Sequence, residues 1–342
     1  MVRHFLDVMD FSNIEIYDMI ELSQKLKHAD KLGVCPHLLK DKSLGMIFAE
    51  SSTRTRISFE VAMTKLGGHA LYLRPGEIHL GKSESVKDTA LVMSRLLDIV
   101  EIRTCEDSDI MDLASYASIP IINGMGTYLH PCQCLCDMLT ISEHLPDGKE
   151  LKDITMTFVG DATIYENVGT ALSQILPRLG ANFIYAVPEG YVAEDSFYEP
   201  VKKACKAGGG TFKIMHDPIE AVKNADYIYS SVMWYEGFDA NKEKRTKDFL
   251  PKYQINAELI SHAPAHAMFM HYLPAQRGYE MTDDIMDHER SLLWNQAENR
   301  LYGEMGILVY LLAPTLASPS EELRAQEKAR LEAWISGRFH AR

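Results

Sequence analysis

The 342-residue chain lacks the features that mark membrane and secreted proteins. Its longest apolar stretch, near residues 307–317, contains Pro314 and is shorter than the ~20 residues that a membrane-spanning helix needs. The six cysteines have no spacing typical of a disulfide framework. The first residues do not show the pattern of a signal peptide, in which a basic stretch is followed by a long apolar core. We therefore expect no membrane partner, no secretory signal and a location in a reducing cytoplasm.

Positive charge is also scarce. The chain has 35 basic and 48 acidic residues, which gives a net charge of −13. Because contacts with nucleic acid phosphates need a basic surface, this balance argues against nucleic acid as a partner. The first strand-to-helix turn has no G-x-G-x-x-G, which disfavours a dinucleotide-binding dehydrogenase. An anion site in this chain must be made locally by a few arginines.

The composition that remains is typical of a globular enzyme, with 46% hydrophobic and 24% charged residues. The length predicts two domains. Short apolar strands alternate with helical patterns, which predicts an α/β fold with two mostly parallel sheets, each flanked by helices. Helices are expected at 13–29, 85–97 and 168–179, and strands at 43–49, 99–103, 154–159, 182–187, 227–232 and 267–271.

The turn at Pro146-Asp147-Gly148 divides the two units. We expect a first domain over residues 1–147, a second over 148–310, and a C-terminal segment over 311–342. Ser318 is a helix cap followed by Pro319 at the first helical position, so this segment should form a helix to about Ser336. The helix is expected to pack on the first domain or on a neighbouring subunit.

Ligands of parallel sheets bind beyond the carboxyl ends of the strands. Six polar clusters of this sequence follow predicted strands, namely 52–56, Arg103, 130–133, 161–167, 230–237 and 271–274. The first reads Ser-Thr-Arg-Thr-Arg between a strand and a helix, where helix N–H groups, hydroxyls and a guanidinium suit a phosphate. The alternative is a serine helix cap with two solvated arginines.

Taken together, the clusters resemble the aspartate/ornithine carbamoyltransferase family in order and spacing over roughly residues 40–310, closest to its putrescine and ornithine branch. The motifs that carry the resemblance are Ser52-Thr53-Arg54-Thr55-Arg56, Arg103, His130-Pro131-Cys132-Gln133, Gly160-Asp161-Ala162, His271-Tyr272-Leu273-Pro274 and Gln296-Ala297-Glu298-Asn299-Arg300. The resemblance implies an active site between two domains at a subunit boundary, a homotrimer or a multiple of trimers, and no metal or organic cofactor.

The resemblance also implies roles for individual residues. The residues expected to bind the phosphate of carbamoyl phosphate are Ser52, Thr53, Arg54, Thr55, His79 and Arg300. Arg103, Thr55 and His130 would surround its carbonyl oxygen, and Gln133 would bind its amino group. The catalytic set is Arg54, Arg103, His130 and Gln133. On the acceptor side, the main-chain carbonyl of Leu273 would accept a hydrogen bond from the attacking amine.

The acceptor site departs from the family pattern. Ser231 stands where the family has an aspartate, Tyr235-Glu236 where it has Ser-Met, and Tyr272 where it has a cysteine, whereas Asn167 is kept. A carboxylate at Glu236 would repel the carboxylate of ornithine and attract a second ammonium, which favours putrescine or a related diamine. The alternative for Glu236 is a solvated loop carboxylate.

Three other interpretations stay open. The chain could be an ornithine carbamoyltransferase with a remodelled acceptor loop, a carbamoyltransferase for another amine whose site Tyr235 and Tyr272 reshape, or a non-catalytic paralogue. A metal site at Cys132, Cys134 and Cys136 is disfavoured, because these residues lack a C-x-x-C spacing and continue into a helical pattern.

Overall fold

The computed structural model describes residues 2–49, 52–74, 77–78, 84–104, 106–163, 166–234 and 241–316, together with helical residues at 325–326, 328–330, 332–333 and 336. Within these residues the strands form two parallel sheets of four and five strands, with helices packed against both. The predicted α/β fold with parallel, helix-flanked sheets is therefore confirmed.

The first sheet has the strand order β2-β1-β3-β4, with every neighbouring pair parallel. Its strands are β1 (Ser43–Phe48), β2 (His69–Leu73), β3 (Ile99–Arg103) and β4 (Ile121–Met125). The helices of this half are α1 (Asn13–Lys31), α2 (Thr53–Lys65), α3 (Val86–Leu96), α4 (Asp107–Tyr116) and α5 (Pro131–Glu143). The central strands β1 and β3 are buried on both faces because helices cover both sides of the sheet.

The second sheet has the order β7-β6-β5-β8-β9 and is also parallel throughout. Its strands are β5 (Thr155–Val159), β6 (Asn182–Ala186), β7 (Thr211–Met215), β8 (Tyr227–Ser230) and β9 (Met268–His271). The helices that follow α5 are α6 (Asn167–Arg178), α7 (Glu199–Gly208), α8 (Pro218–Val222), α9 (Lys242–Phe249), α10 (Ala257–Ser261) and α11 (Asp283–Met286). Short 3₁₀ turns lie at Val8–Asp10, Leu151–Asp153 and Asp195–Tyr198.

The long helix α12 (Leu293–Leu316) links the two halves, because it contacts β9 and packs against α1, α2 and α5. One apolar core consequently runs from Phe59 through Met305 to Phe158, and a smaller cluster lies on the other face of the first sheet. None of the helices that the described residues form is both long and apolar enough to cross a membrane. The division near residue 147 and the packing of the predicted C-terminal helix stay predictions, and the predicted start of that helix at Ser318-Pro319 lies outside the described residues.

Candidate active site

A cavity of about 430 Å³ lies where the carboxyl ends of the two sheets face each other. The predicted site residues that line it are Ser52, Arg54, Thr55, Arg103, His130, Gln133, Asn167, Tyr272, Leu273 and Arg300. They come from the starts of α2, α5 and α6, the ends of β3 and β9, and the first half of α12. Since clefts of this size hold small molecules, the cavity can take two small substrates side by side.

The start of α2 forms one wall of the cavity. Ser52 occupies the N-cap position in an extended conformation, but its side chain makes no capping bond to the helix. The cap interpretation of the Ser-Thr-Arg stretch therefore accounts poorly for this serine, which lies on the cavity wall instead. Thr53 is exposed and lies beside a neighbouring surface hollow rather than in the cavity. The N–H groups at this helix end are suited to an anion.

Three arginines make the same side of the cavity positive. They are Arg54 on α2, Arg103 at the end of β3 and Arg300 on α12. Burial, followed by repulsion from Arg300 and Arg103, lowers the pKa of Arg54 to about 10, so that it stays charged at neutral pH. Positive charges that repel each other inside a protein need an anion between them, and a phosphate dianion fits this requirement.

A bulge in the first sheet lies beside Arg103. Between β3 and β4 the register shifts after Ile102, so that Ile102 pairs with Asn123 but Arg103 pairs with Met125. The extra residue, Gly124, is on β4, and such bulges are common next to active sites. The sequence predicted that Arg103 ends a strand, but it did not predict the bulge, because a bulge depends on how two strands pair.

Arg300 is fully surrounded by hydrogen-bond partners and only 3% exposed. Its guanidinium donates to Gln133 Oε1 at 2.7 Å and Thr55 Oγ1 at 2.9 Å, and it contacts His130 Nε2 at 3.3 Å. Glu304, one turn along the helix, accepts from Nε at 3.0 Å and from Nη2 at 2.7 Å. Burial opposes the charge of Arg300, but the attraction of Glu304 outweighs it and the pKa of Arg300 is raised.

His130 faces the cavity as a neutral imidazole. Burial, followed by the charges of Arg300, Arg103 and Arg54, holds the pKa of His130 well below its ordinary value. Its Nδ1 accepts from the main-chain N–H of Gln133 at 3.4 Å and so caps α5, where Pro131 occupies the first turn. This cap presents the Nε2 edge of the ring to the arginine side of the cavity.

A buried network orients Gln133. Its amide nitrogen donates to Asp137 Oδ1 at 2.7 Å, one turn along α5, which leaves its oxygen facing Arg300. Gln296 also donates to Asp137 Oδ1, and Tyr229 donates to its Oδ2. Burial raises the pKa of Asp137 to about 7, and these hydrogen bonds oppose the shift. Sequence reasoning missed Asp137, although its i+4 spacing from Gln133 was visible.

The opposite wall of the cavity is mainly apolar and aromatic. Besides Tyr272, Leu273 and Asn167, it contains Val232, Trp234 and Pro274, which lie in the predicted clusters 230–237 and 271–274 but had no role assigned to them. Sequence reasoning missed two lining residues, Gln276 on this wall and Met125, which pairs with Arg103. Asn167 donates its amide nitrogen to the carbonyl of Gly126 at 3.0 Å, so its oxygen is the atom that can accept from an ammonium.

Leu273 has an unusual backbone, with φ at 58°. A non-glycine residue in this left-handed region costs of order 1–3 kcal/mol and is kept where the surroundings hold it. The N–H of Leu273 donates to His271 Nδ1 at 2.8 Å, which ties the turn to the buried end of β9. The carbonyl predicted to accept from the attacking amine is therefore held in one orientation.

Ser231 does not line the cavity, contrary to its predicted contact with the amine. It is 2% exposed, and its hydroxyl faces Gly160 at the end of β5, where an added Cβ would lie 2.9 Å from Oγ. Ser231 is the first residue after β8, and its hydroxyl is buried against the end of the neighbouring strand β5. The other predicted residues of this region, Tyr235 and Glu236, lie outside the described residues, and so does His79.

Contacts on the side away from the cavity hold the segment that carries Val232 and Trp234. Arg245 of α9 forms an ion pair of 2.7 Å with Asp161 at the end of β5 and donates to the carbonyl of Met233. Trp234 packs edge-on against Tyr279 with ring centroids 4.7 Å apart. Trp234 is thus held against the cavity by contacts from two other parts of the second half.

The cysteines of α5 lie in the core. Cys132, Cys134 and Cys136 are all buried, and Cys132 donates weakly to the carbonyl of Asn123. Among the described residues, no group of three or more histidine, cysteine, aspartate or glutamate side chains has the arrangement of a metal site.

Comparison with known proteins covers nearly the whole chain. Residues 3–143 match the family model described as aspartate/ornithine carbamoyltransferase, carbamoyl-P binding domain, and residues 152–311 match the Asp/Orn binding domain of the same family. A putrescine carbamoyltransferase of Mycoplasma capricolum is 40% identical over 341 residues, 98% of this chain and 93% of that protein.

Ornithine carbamoyltransferases are similar to the same degree. The Pyrococcus abyssi protein is 42% identical over 310 residues, 91% of this chain and 96% of that protein. The solved structure of the Pyrococcus furiosus protein superimposes with a TM-score of 0.84 at 41% identity, and the match covers 90% of this chain and 96% of that one.

Proposed function

Because the chain belongs to the aspartate/ornithine carbamoyltransferase family and is a carbamoyltransferase, we propose that it transfers the carbamoyl group between carbamoyl phosphate and putrescine. The products of the forward reaction are N-carbamoylputrescine and phosphate. The observation that carries this proposal is the contrast between the two walls of the cavity. One wall has three arginines, and the described part of the other is aromatic and uncharged.

The arginine wall suits carbamoyl phosphate. The start of α2 and Arg54 would hold the phosphate, while Arg103, His130 and Thr55 would surround the carbonyl oxygen. Arg300 would contribute its positive charge to the phosphate, since its guanidinium nitrogens contact Gln133, Thr55, His130 and Glu304. Gln133 Oε1 would accept from the carbamoyl amino group, sharing its lone pairs with Arg300. The assignment of these residues follows the family resemblance, and their common cavity supports it.

The reaction then needs few chemical groups from the protein. The amine nitrogen attacks the carbamoyl carbon, the carbonyl oxygen takes negative charge, and the bond to the phosphate oxygen breaks, so that phosphate leaves with the electron pair. The amine gives up one proton, which the departing phosphate can take. The positive field of the arginines favours the neutral form of the amine at the attacking end, and fixed donors stabilise the oxyanion.

The aromatic wall suits a diamine. Trp234 and Tyr272 offer apolar surface to a polymethylene chain, and the ring face of Tyr272 attracts the ammonium at its far end. The oxygen of Asn167 adds an acceptor for an ammonium N–H. Lys242 Nζ lies 4.5 Å from the centroid of the Trp234 ring but does not line the cavity. Among the described lining residues, the cationic side chains are the three arginines, so the carboxylate of ornithine would be buried here without a cationic lining residue. Burial of an unpaired charge is costly.

Ornithine is the second candidate acceptor, since ornithine carbamoyltransferases are as similar to this chain as putrescine carbamoyltransferases. Ornithine is putrescine with one added carboxylate, so the two amines form a matched pair. We expect kcat/KM for putrescine to exceed that for ornithine by about a hundredfold or more. Release of phosphate from carbamoyl phosphate measures both rates, and a preference for ornithine would contradict the diamine proposal.

We also propose that the protein assembles as a homotrimer, as the resemblance implies, and that it works in the cytoplasm. An exposed apolar surface supports an assembly. Its members lie on β2 and α3 and include Leu71, Leu91, Val92 and Leu96, beside a hollow of about 440 Å³. Contiguous apolar surface of this kind marks protein interfaces.

Leu96→Glu should therefore break the assembly, because Leu96 is 73% exposed on this surface and a carboxylate there would be buried in the interface. Light scattering after size exclusion should report a smaller species than the trimer. Leu32→Glu is the matched control, since Leu32 is 65% exposed at the end of α1, away from β2 and α3. Equal masses for Leu96→Glu and the unmodified protein would exclude this surface as the interface.

A further inference from the structure

Two buried glutamates lie behind the arginine wall and take no part in the reaction described above. Glu101 is the middle residue of β3, and Glu304 lies on α12; both side chains are fully buried. The two carboxyl groups are close enough to repel each other. Buried carboxyl groups are rare unless they are paired or serve a function, so this pair needs an explanation.

The two carboxyls differ in their partners. Glu304 Oε1 accepts two hydrogen bonds from the guanidinium of Arg300, as an ionised carboxylate does, whereas its Oε2 is buried without a hydrogen bond among the described residues. Both oxygens of Glu101 are buried without a hydrogen-bond donor among the described residues. Glu101 Oε1 occupies the space beside Gly124 where another residue would have its Cβ: a Cβ added to Gly124 would lie 1.6 Å from this oxygen. A carboxyl without donors in such a place is a neutral acid.

The groups that act on the pair come from each element around it. They are Arg103 on β3, Arg300 on α12, Ser58 on α2, and the buried thiols of Cys132 and Cys136 on α5. Burial raises the pKa of Glu304 to about 7, although Arg300 and Ser58 oppose the shift. Burial and the repulsion of Glu304 raise the pKa of Glu101 well above its ordinary value. Simultaneous ionisation of Glu101 and Glu304 is therefore disfavoured.

We propose that Glu304 is a positioning residue that holds the Arg300 guanidinium at the anion site, while Glu101 is kept neutral beside it. The inference rests on the proposed carbamoyl phosphate site. With Glu101 neutral, Arg54, Arg103 and Arg300 face one carboxylate and retain two net positive charges, which match a phosphate dianion. If Glu101 also ionised, the wall would lose half of that net charge and bind the dianion more weakly.

The test measures kcat and KM for carbamoyl phosphate between about pH 5.5 and about pH 9, at saturating amine. We expect Glu304→Gln to lower kcat/KM about tenfold to a hundredfold, because Arg300 loses its charged anchor. The pKa of Glu304 is raised, so its carboxylate forms only as pH rises through about 7. Below that pH the protein should lose rate. Glu304→Gln, which never carries the charge, should show a weaker acid limb, because only the contribution of Asp137, whose pKa is also raised to about 7, is left.

Glu101→Gln is the matched variant, since a neutral amide replaces a neutral acid of the same shape. At neutral pH we expect kcat/KM of Glu101→Gln to lie within about threefold of that of the unmodified protein. At alkaline pH the variant should lose less affinity for carbamoyl phosphate than the unmodified protein does, because the amide cannot ionise. Glu298→Gln controls for the loss of a carboxylate on α12, since Glu298 is partly exposed and paired with Lys31. Its profile should coincide with that of the unmodified protein.

The outcomes separate the inference from the proposed function. An unmodified protein that neither binds nor consumes carbamoyl phosphate would overturn the proposed function and the inference with it. An active protein whose Glu304→Gln variant keeps the same kcat/KM and acid limb would overturn the inference alone. If Glu304→Gln does not fold, Glu304→Asp replaces it: we expect lower kcat/KM with the acid limb kept, and unchanged kcat/KM would contradict the positioning role.

Discussion

Replacing Arg54 with alanine is expected to weaken carbamoyl phosphate binding by about ten- to a hundredfold, which corresponds to the roughly 1.5–3 kcal/mol of a hydrogen bond to a charged group. Arg54 lies on the cavity wall at the start of α2, with its charge opposed by Arg103 and Arg300. Activity should fall by at least the same factor. Removal of one of three repelling charges should leave the fold intact, so the thermal unfolding temperature should not decrease.

Arg56→Ala is the matched control for Arg54→Ala. Arg56 lies two residues further along α2, stacks on the ring of Tyr72 at 3.9 Å and lies 3.5 Å from Glu60. Both contacts are surface contacts, which contribute about 1 kcal/mol or less to stability. Calorimetric titration with carbamoyl phosphate distinguishes the two variants. Equal losses in both, or unchanged affinity in Arg54→Ala, would show that the phosphate is held elsewhere.

Replacing His130 with asparagine should lower kcat about a hundred- to a thousandfold, the usual effect of removing one donor to a developing oxyanion. Asparagine is a good N-cap residue and can keep the capping bond to α5, but it does not supply the Nε2 edge of the ring. The effect should therefore appear in kcat more than in KM, and single-turnover kinetics can measure it directly.

His144→Asn is the control at the other end of the same helix. His144 is the C-cap of α5, and its ring contacts the carbonyl of Thr140 at 2.9 Å. We expect kcat within about twofold of the unmodified protein, because a residue outside the reacting atoms adds no transition-state binding. The lowered pKa of His130 adds a second check: the ring is neutral from pH 6.5 upward, so His130→Asn should not remove any limb of the pH profile in that range.

The strands that the sequence revealed and those that it did not differ in burial. β3 was predicted at its observed bounds, and β1 and β5 within one residue, because central strands are buried almost throughout and are rich in apolar residues. The edge strands β2 and β7 were missed. Each has exposed residues alternating with partly buried ones, whereas the other two edge strands, β4 and β9, are mostly buried. Segments such as β2 and β7 resemble loops in composition.

The candidate site was visible in its polar part and hidden in its apolar part. Polar clusters after strands indicated the arginine wall, since the carboxyl ends of parallel strands meet at one edge. Trp234 and Val232 lie within the predicted cluster 230–237 but were given no role, because apolar residues after a strand are also ordinary core residues. Ser231 was expected at the amine by alignment, but its side chain direction depends on where β8 ends.

The sequence by itself determined the fold class and the family, because strand and helix periodicity and the spacing of the motifs are local properties of the chain. Only the tertiary structure decided how the Ser52–Arg56 region is completed. Thr55 and Arg300 are 245 residues apart, and their hydrogen bond exists because α12 packs across α2 and α5. The same packing buries Glu304 beside Glu101. Contacts between distant elements depend on the shapes of whole packed surfaces, which no local pattern specifies.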